Sequence, residues 1–245
     1  VKLGSAPTVI YVNKLGGKGA LTNGNGIEVV DVRNKPINPG DSDGAFVLGH
    51  RVVAGPYEYM LYKGDRGYGA DSWFLRTNDS GGKPIYRAEV GSYLANQTAA
   101  TGLFMHTLHD RLGEPQFTEG YKSEGKVGSG WVRIVGNHTD SSAAGGVLDQ
   151  DTDSYLVHFG GELAQWTNGT DRLHLGLMGA YGESKTDTTV SYHTPQTITR
   201  SSEGKVTGYS VGAYATWYQN DQQPTGLYVD GWLQYGWFDN DVTGK

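Results

Sequence analysis

The chain has 245 residues, including 38 glycines, 16 tyrosines, six tryptophans and no cysteine, with a formal net charge of −6 and 37% hydrophobic residues. This composition argues against a helical globule and for a turn-rich β protein, and an acidic chain without a basic patch makes nucleic acid an unsuitable partner. No run approaches the ~18–20 apolar residues of a membrane helix, so any membrane crossing has to be made by strands. Lack of cysteine suits a chain that is exported unfolded, although many cytosolic proteins lack it too.

The N-terminus shows no charged segment followed by an apolar core, so no signal peptide is expected, and the chain reads as an internal piece of a longer protein. Residues 1–83 hold short β-like runs, namely Thr8–Asn13, Gly26–Val32, Ala45–Leu48, Tyr57–Lys63 and Ser72–Arg76. Gly16-Gly17, Asn23-Gly24 and Asn38-Pro39-Gly40 punctuate them, as suits coils of a parallel β-helix or a small sandwich. Tyr57, Tyr59, Trp73 and Phe74 are expected to cap and fill the end of that unit; an aromatic ladder for sugar is the alternative.

From Val90 to Gly113 the pattern predicts one helix, with Leu94, Thr98, Thr101, Met105, Leu108 and Leu112 on one face and Gly113-Glu114-Pro115 as its stop. About 24 residues extend ~36 Å, enough to cross a bilayer. Asn96, Gln97, His106, His109, Asp110 and Arg111 make the segment too polar for lipid, which leaves a water-lined lumen or an ordinary amphipathic connector.

Residues 116–245 predict strands. Gly130–His138 is the first, with Val132, Ile134 and Gly136 on the outer face and Arg133 and Asn137 inward. Asp153–Trp166, Arg172–Ser184, Val206–Tyr218 and Gly226–Phe238 follow, each alternating large apolar with small or polar residues. Their ~12–14 residues exceed the usual strand length and match the alternating wall of a membrane barrel. Loops are expected to alternate between long (140–152, 185–205) and short (167–171, 219–225). Short turns face the periplasm in such barrels, so the first strand starts there and the helix runs inward through the lumen.

Several residues invite a chemical reading. Gly40-Asp41-Ser42 has the look of an esterase nucleophile motif without a partner histidine, and a turn accounts for it better. His106, His109, His158 and His174 lack the spacing of a zinc site, so no metal and no cofactor is expected. Arg133 and Glu162 should face the lumen, where Asp110, Arg111 or Glu114 of the helix are available to pair with them, water being the competing partner. Trp166, Trp217, Tyr235 and Trp237 are expected to form an aromatic girdle at the membrane boundary.

Taken in order, VNKLGGKGALTNGNGIEVVDV, FVLGHRVVAGPYEYMLYKG and DSWFLRT resemble the end of a pertactin-like autotransporter passenger. YRAEVGSYLANQTAATGLFMHTLHDRLGE resembles the family's linker helix, and GSGWVRIVGNHTD onward resembles the start of an autotransporter β-domain. The resemblance implies three parts: an autochaperone region at residues 1–83, a lumen helix at 84–115, and the beginning of a barrel at 116–245. It implies an all-β fold with the last rungs of a right-handed parallel β-helix and about five of twelve barrel strands. It implies a non-enzymatic protein of the Gram-negative outer membrane that anchors and translocates its own upstream passenger. Outer-membrane lipid, the insertion machinery, periplasmic chaperones and, for an adhesive passenger, a host surface are the implied partners. An adhesin, or an upstream protease or esterase, is the alternative passenger activity. Some members cut themselves at an asparagine pair in the linker; Met105–Asp110 has no such pair, so that cleavage is not expected here.

Overall fold

The computed structural model describes residues 6–32, 43–64, 71–112, 130–192, 198–220 and 226–245. The Gly40-Asp41-Ser42 motif and the helix stop at 113–115 lie outside them. Contacts divide the chain into two compact units. The first holds residues 1–91 with 142–149 and 189–201, and the second holds 92–141, 150–188 and 202–245.

In the first unit, β1 (Thr8–Ile10) pairs in parallel with β3 (Phe46–Leu48). A separate four-stranded sheet has the order β2 (Ile27–Val30), β6 (Trp73–Arg76), β5 (Tyr57–Lys63), β4 (Val52–Ala54), and its pairs are antiparallel. Parallel pairing, which the β-helix alternative requires throughout, is confined to one pair among the described strands. The reversal between β4 and β5 comes from Gly55-Pro56. Gly55 sits at φ 55°, and a Cβ there would lie 2.0 Å from the Lys18 carbonyl oxygen, so only glycine closes this turn. Val52, Tyr59 and Leu75 form a small core. The Tyr59 hydroxyl binds Ala20 twice, donating to its carbonyl and accepting from its N–H, both at 3.1 Å.

The second unit is built on a five-stranded sheet in the order β7 (Gly130–Ala143), β8 (Leu148–Thr167), β9 (Arg172–Tyr192), β10 (Ile198–Tyr218), β11 (Tyr228–Gly244). Every strand pairs with its sequence neighbour, and β10 and β11 are antiparallel with an unbroken register from Ser202↔Gly244 to Tyr218↔Tyr228. The predicted long loops are corrected. Residues 140–152 are strand except for the turn at 144–147, and the strands run on into 185–192 and 198–205. Thr186, Thr188, Val190 and Tyr192 keep the period of two alive where the apolar signal stops, and β-branched residues suit extended backbone.

The predicted single helix is also corrected. α1 (Ala88–Gly102) ends and α2 (Leu108–Leu112) begins anew. The restart is a capping box. Asp110 accepts hydrogen bonds from the N–H and hydroxyl of Thr107, at 2.8 and 2.9 Å, while the Thr107 hydroxyl accepts from the Asp110 N–H. The expected apolar face packs only in part, at Leu108. Leu94 and Met105 are exposed, and Ser92, Asn96 and Phe104, which the pattern placed elsewhere, are buried.

Candidate functional site: an apolar outer face and a helix-lined inner face

The two faces of the five-stranded sheet differ in chemistry. On the outer face Val132, Ile134, Phe159, Leu163, Leu177, Val211, Leu233 and Tyr235 are all more than half exposed. Soluble proteins rarely leave a contiguous apolar surface of this extent uncovered. On β9 the band runs from Leu173 to Tyr181, then gives way to Glu183, Lys185 and Asp187. Eight steps at ~3.3 Å make ~26 Å along the strand, of the order of the ~25 Å apolar belt of an outer-membrane barrel. Above that limit the outer face carries ion pairs, Lys205 with Glu183 at 3.0 Å and Lys185 with Glu203 at 3.3 Å.

Aromatic residues mark both limits. Trp166 and Trp217 lie beside the turns that follow β8 and β10, and the Trp217 indole N–H donates to Asp171 at 3.1 Å. Tyr235 and Trp237 lie mid-strand, opposite Val211 and Tyr209, at the other edge of the band. The sequence reading missed the rest of this second row. Tyr155, Tyr181 and Tyr209 stand side by side on successive strands, with ring centroids 5.9 and 5.0 Å apart. Their alignment needs the strand register, which a single sequence does not give.

The inner face is built from small residues that admit the helices. Ser92 shares hydrogen bonds with the hydroxyls of Thr188 (3.1 Å) and Ser202 (2.6 Å), all three side chains being buried. The Asn96 amide donates to the carbonyls of Lys205 and Asp241, at 3.2 and 3.1 Å. Glycines make the room: a Cβ on Gly204 would lie 2.6 Å from Asn96 Oδ1 and 3.0 Å from Ser92 Cβ, and one on Gly182 would lie 2.9 Å from Leu103. Phe104, Leu156 and Ala180 form the apolar contact beside this track. A polar helix face meeting hydroxyls and backbone carbonyls is what a hydrophilic inner wall requires, because each buried polar group needs a partner.

Farther along, α2 is held by charge. The Arg111 side chain is fully buried. It donates to Asp230 of β11 and, at 3.1 Å, to His106 Nε2, and its guanidinium lies 4.5 Å over the Tyr214 ring. The Thr216 hydroxyl donates to the same carboxylate oxygen of Asp230. Arg133 approaches Asp110 at 3.6 Å and donates to the Met105 carbonyl at 3.5 Å. The Glu162 carboxylate accepts from His174 on the next strand. Of the four residues expected to connect wall and helix, Arg133 and Asp110 meet each other and Arg111 meets Asp230 of the wall. Asp230 and the ring cluster of His106, His158, Trp131 and Trp232 were missed.

The four histidines do not gather. His106 and His158 meet edge to face, His109 stands against Tyr228 and His174 against Glu162. Both ring nitrogens of His106 are engaged, by the Phe104 carbonyl and by Arg111, which leaves no lone pair for a cation.

Tyr57, Tyr59, Trp73 and Phe74, expected to cap the N-terminal unit, lie in the first unit. Tyr57 stacks on Tyr86 at 5.5 Å, Trp73 meets Phe46 edge to face at 5.7 Å, and Tyr59, Trp73 and Phe74 are buried. Arg51 binds Glu58 at 2.6 Å and Glu89 with two bonds of 2.7 and 3.0 Å. Burial alone would lower the Arg51 pKa, but these carboxylates outweigh it and hold the guanidinium above its ordinary value. Burial, aided by Asp79, pushes the Tyr62 phenol up to about 12.

A sheet with an apolar outer face and a hydrophilic inner face has the two-sided chemistry of an outer-membrane barrel wall. Residues 130–245 match the Autotransporter beta-domain family and residues 2–61 match Autochaperone Domain Type 1. The Escherichia coli K12 protein YdeU, itself uncharacterized, is 41% identical over 257 residues, covering 96% of this chain and 52% of that protein. The autotransporter adhesin AIDA-I of Escherichia coli is 32% identical over 240 residues, covering 96% of this chain and 17% of the adhesin. The crystal structure of the AIDA-I transport unit superposes with a TM-score of 0.51 and 31% identity, covering 65% of this chain and 46% of that one. The chain belongs to the autotransporter family. Its β-domain is of the outer-membrane kind found in Gram-negative bacteria, with a passenger at the cell surface, and both family matches support a secretion and anchoring role. The chain spans about half the length of YdeU and less than a fifth of the adhesin.

Proposed function

We propose that residues 116–245 begin a closed barrel that anchors the protein and lets its own upstream passenger reach the surface. Residues 84–115 thread that barrel, and residues 1–83 end the passenger and assist its folding. The carrying observation is the helix packed by its polar face, Ser92 and Asn96, onto a hydroxyl- and glycine-lined wall whose reverse face is apolar and exposed. A lipid-facing sheet cannot keep free edges in a bilayer, so further strands are required for insertion. They also supply the surroundings for the exposed Tyr93, Leu94 and Met105. Folding of the passenger outside supplies the direction of export, since an ordered β unit does not slip back through a narrow lumen.

Val9 and Val47, paired across the parallel strands β1 and β3, and Tyr11 just after β1 are exposed, which suits stacking of an upstream β-helix rung. Insertion machinery and periplasmic chaperones are the partners this route calls for, and an adhesive passenger adds a host surface. The AIDA-I and BmaC relatives, both named adhesins, favour adhesion over an upstream protease or esterase. In cells making the full-length protein, removal of 228–244 should abolish passenger display detected by a surface antibody. Normal display without that strand would refute the role given to the barrel.

A further inference from the structure

The first unit is not made of the N-terminal segment alone. It includes 142–149 and 189–201, the far ends of β7 to β10, which lie beyond the apolar band. Strand ends standing in water on both sides would carry polar residues on both faces. Here the outward positions are polar (Thr189, Ser191, Thr199), whereas Leu148, Val190 and Tyr192 are buried to 2% exposure or less. They form one core with Met60, Tyr62, Ile85 and Ala88, and Val147 and Ile198 pack against it. Polar contacts join the same partners. The Tyr192 hydroxyl donates to the Tyr86 carbonyl, and Arg200 donates to Glu58 at 3.0 Å. Glu58 is 1% exposed, so a carboxylate there is tolerable only with both Arg51 and Arg200 in place.

We infer that the outward strand ends of the β-domain, 142–149 and 189–201, form the docking platform on which residues 57–88 complete their fold. Three of the seven buried core members and one of the two arginines that neutralise Glu58 come from those strand ends. The segment that assists passenger folding therefore lacks a finished core until the β-domain presents them. The β-domain gains a second role, as folding template as well as pore, and β-domain assembly precedes closure of the passenger's last segment. This rests on the secretion reading given above.

The test uses full-length protein in its own outer membrane, with Val190→Asp and Arg200→Ala, and Ser191→Asp as the outward-facing control. Barrel assembly is read by heat-modifiable mobility, and the 57–88 segment by its rate of cleavage with added protease. Both platform variants should assemble normally while that segment is cut at least tenfold faster, and Ser191→Asp should match wild type. Wild-type resistance in an assembled Val190→Asp barrel would overturn the proposal. Hydrogen exchange on the unaltered protein decides it where a variant fails to assemble. Amides of 57–63 and 190–192 should open together, and independent opening overturns the proposal. Failure of the secretion reading would show itself separately, as a wild-type segment absent from the surface.

Discussion

Replacing Asp230 by alanine probes the anchorage of α2 most sharply. The Arg111 side chain has no exposed surface, and its partner Asp230 is 11% exposed. Removing one member of such a pair leaves an uncompensated buried charge, which costs ~3–5 kcal/mol. The Thr216 hydroxyl also loses its acceptor, worth ~1 kcal/mol. The ring of Tyr214 and the His106 nitrogen still hold Arg111, returning ~1 kcal/mol, so a net loss of at least about 3 kcal/mol follows. That is roughly a 150-fold fall in the folding constant. Arg111→Leu combined with Asp230→Leu removes both charges and should lie within ~1–2 kcal/mol of the parent. Urea unfolding of full-length protein in lipid vesicles, run as a double-variant cycle, gives the coupling directly. A loss below 1 kcal/mol for Asp230→Ala would show the pair to be solvated. Additive losses in the double variant would show that the two residues are not coupled.

Gly204→Val drives a side chain into Ser92 and Asn96, and overpacking of ~1–3 kcal/mol should raise hydrogen exchange across 92–102; unchanged protection would remove the glycine track from the account. Leu177→Arg in the apolar band should cost ~2–4 kcal/mol in assembly while Ser191→Arg on the same face of β9 costs almost nothing, and equal effects would erase the boundary drawn between them. Trp73→Asp puts a charge into the buried edge contact with Phe46. It should leave the barrel assembled and the passenger protease-sensitive, as judged by digestion of intact cells, and a resistant passenger would end the folding role of that residue.

The lipid-facing parts of the strands were legible because their apolar residues sit at every second position, as Leu173, Leu175 and Leu177 do. Past Glu183 the hydrophobic signal fades, so residues 185–205 read as loop although Thr186, Thr188 and Val190 continue the alternation. The helix was placed but the packed face of α1 was inverted. A rule that apolar residues pack inward selects Leu94, whereas a hydrophilic wall selects Ser92 and Asn96. The one-helix reading failed at residues 103–107 because the Thr107–Asp110 capping box was not weighed as a start signal. Asp230 lies 119 residues from Arg111, and nothing local in either segment announces the pair. The platform made by Leu148, Val190 and Arg200 was hidden for the same reason: its partners are distant in sequence, and burial of a strand end is a property of the fold.

The central claim is that the wall spans the outer membrane with the ends of β9 and β10 outside and the turn at 168–171 in the periplasm. Full-length protein on intact cells should be labelled by an impermeant thiol reagent when cysteine replaces Asp187, and should stay unlabelled when it replaces Asn168 until the outer membrane is opened. Labelling of Asn168→Cys with protection of Asp187→Cys on intact cells would contradict the orientation, and with it the threading of the helix and the export route built on it.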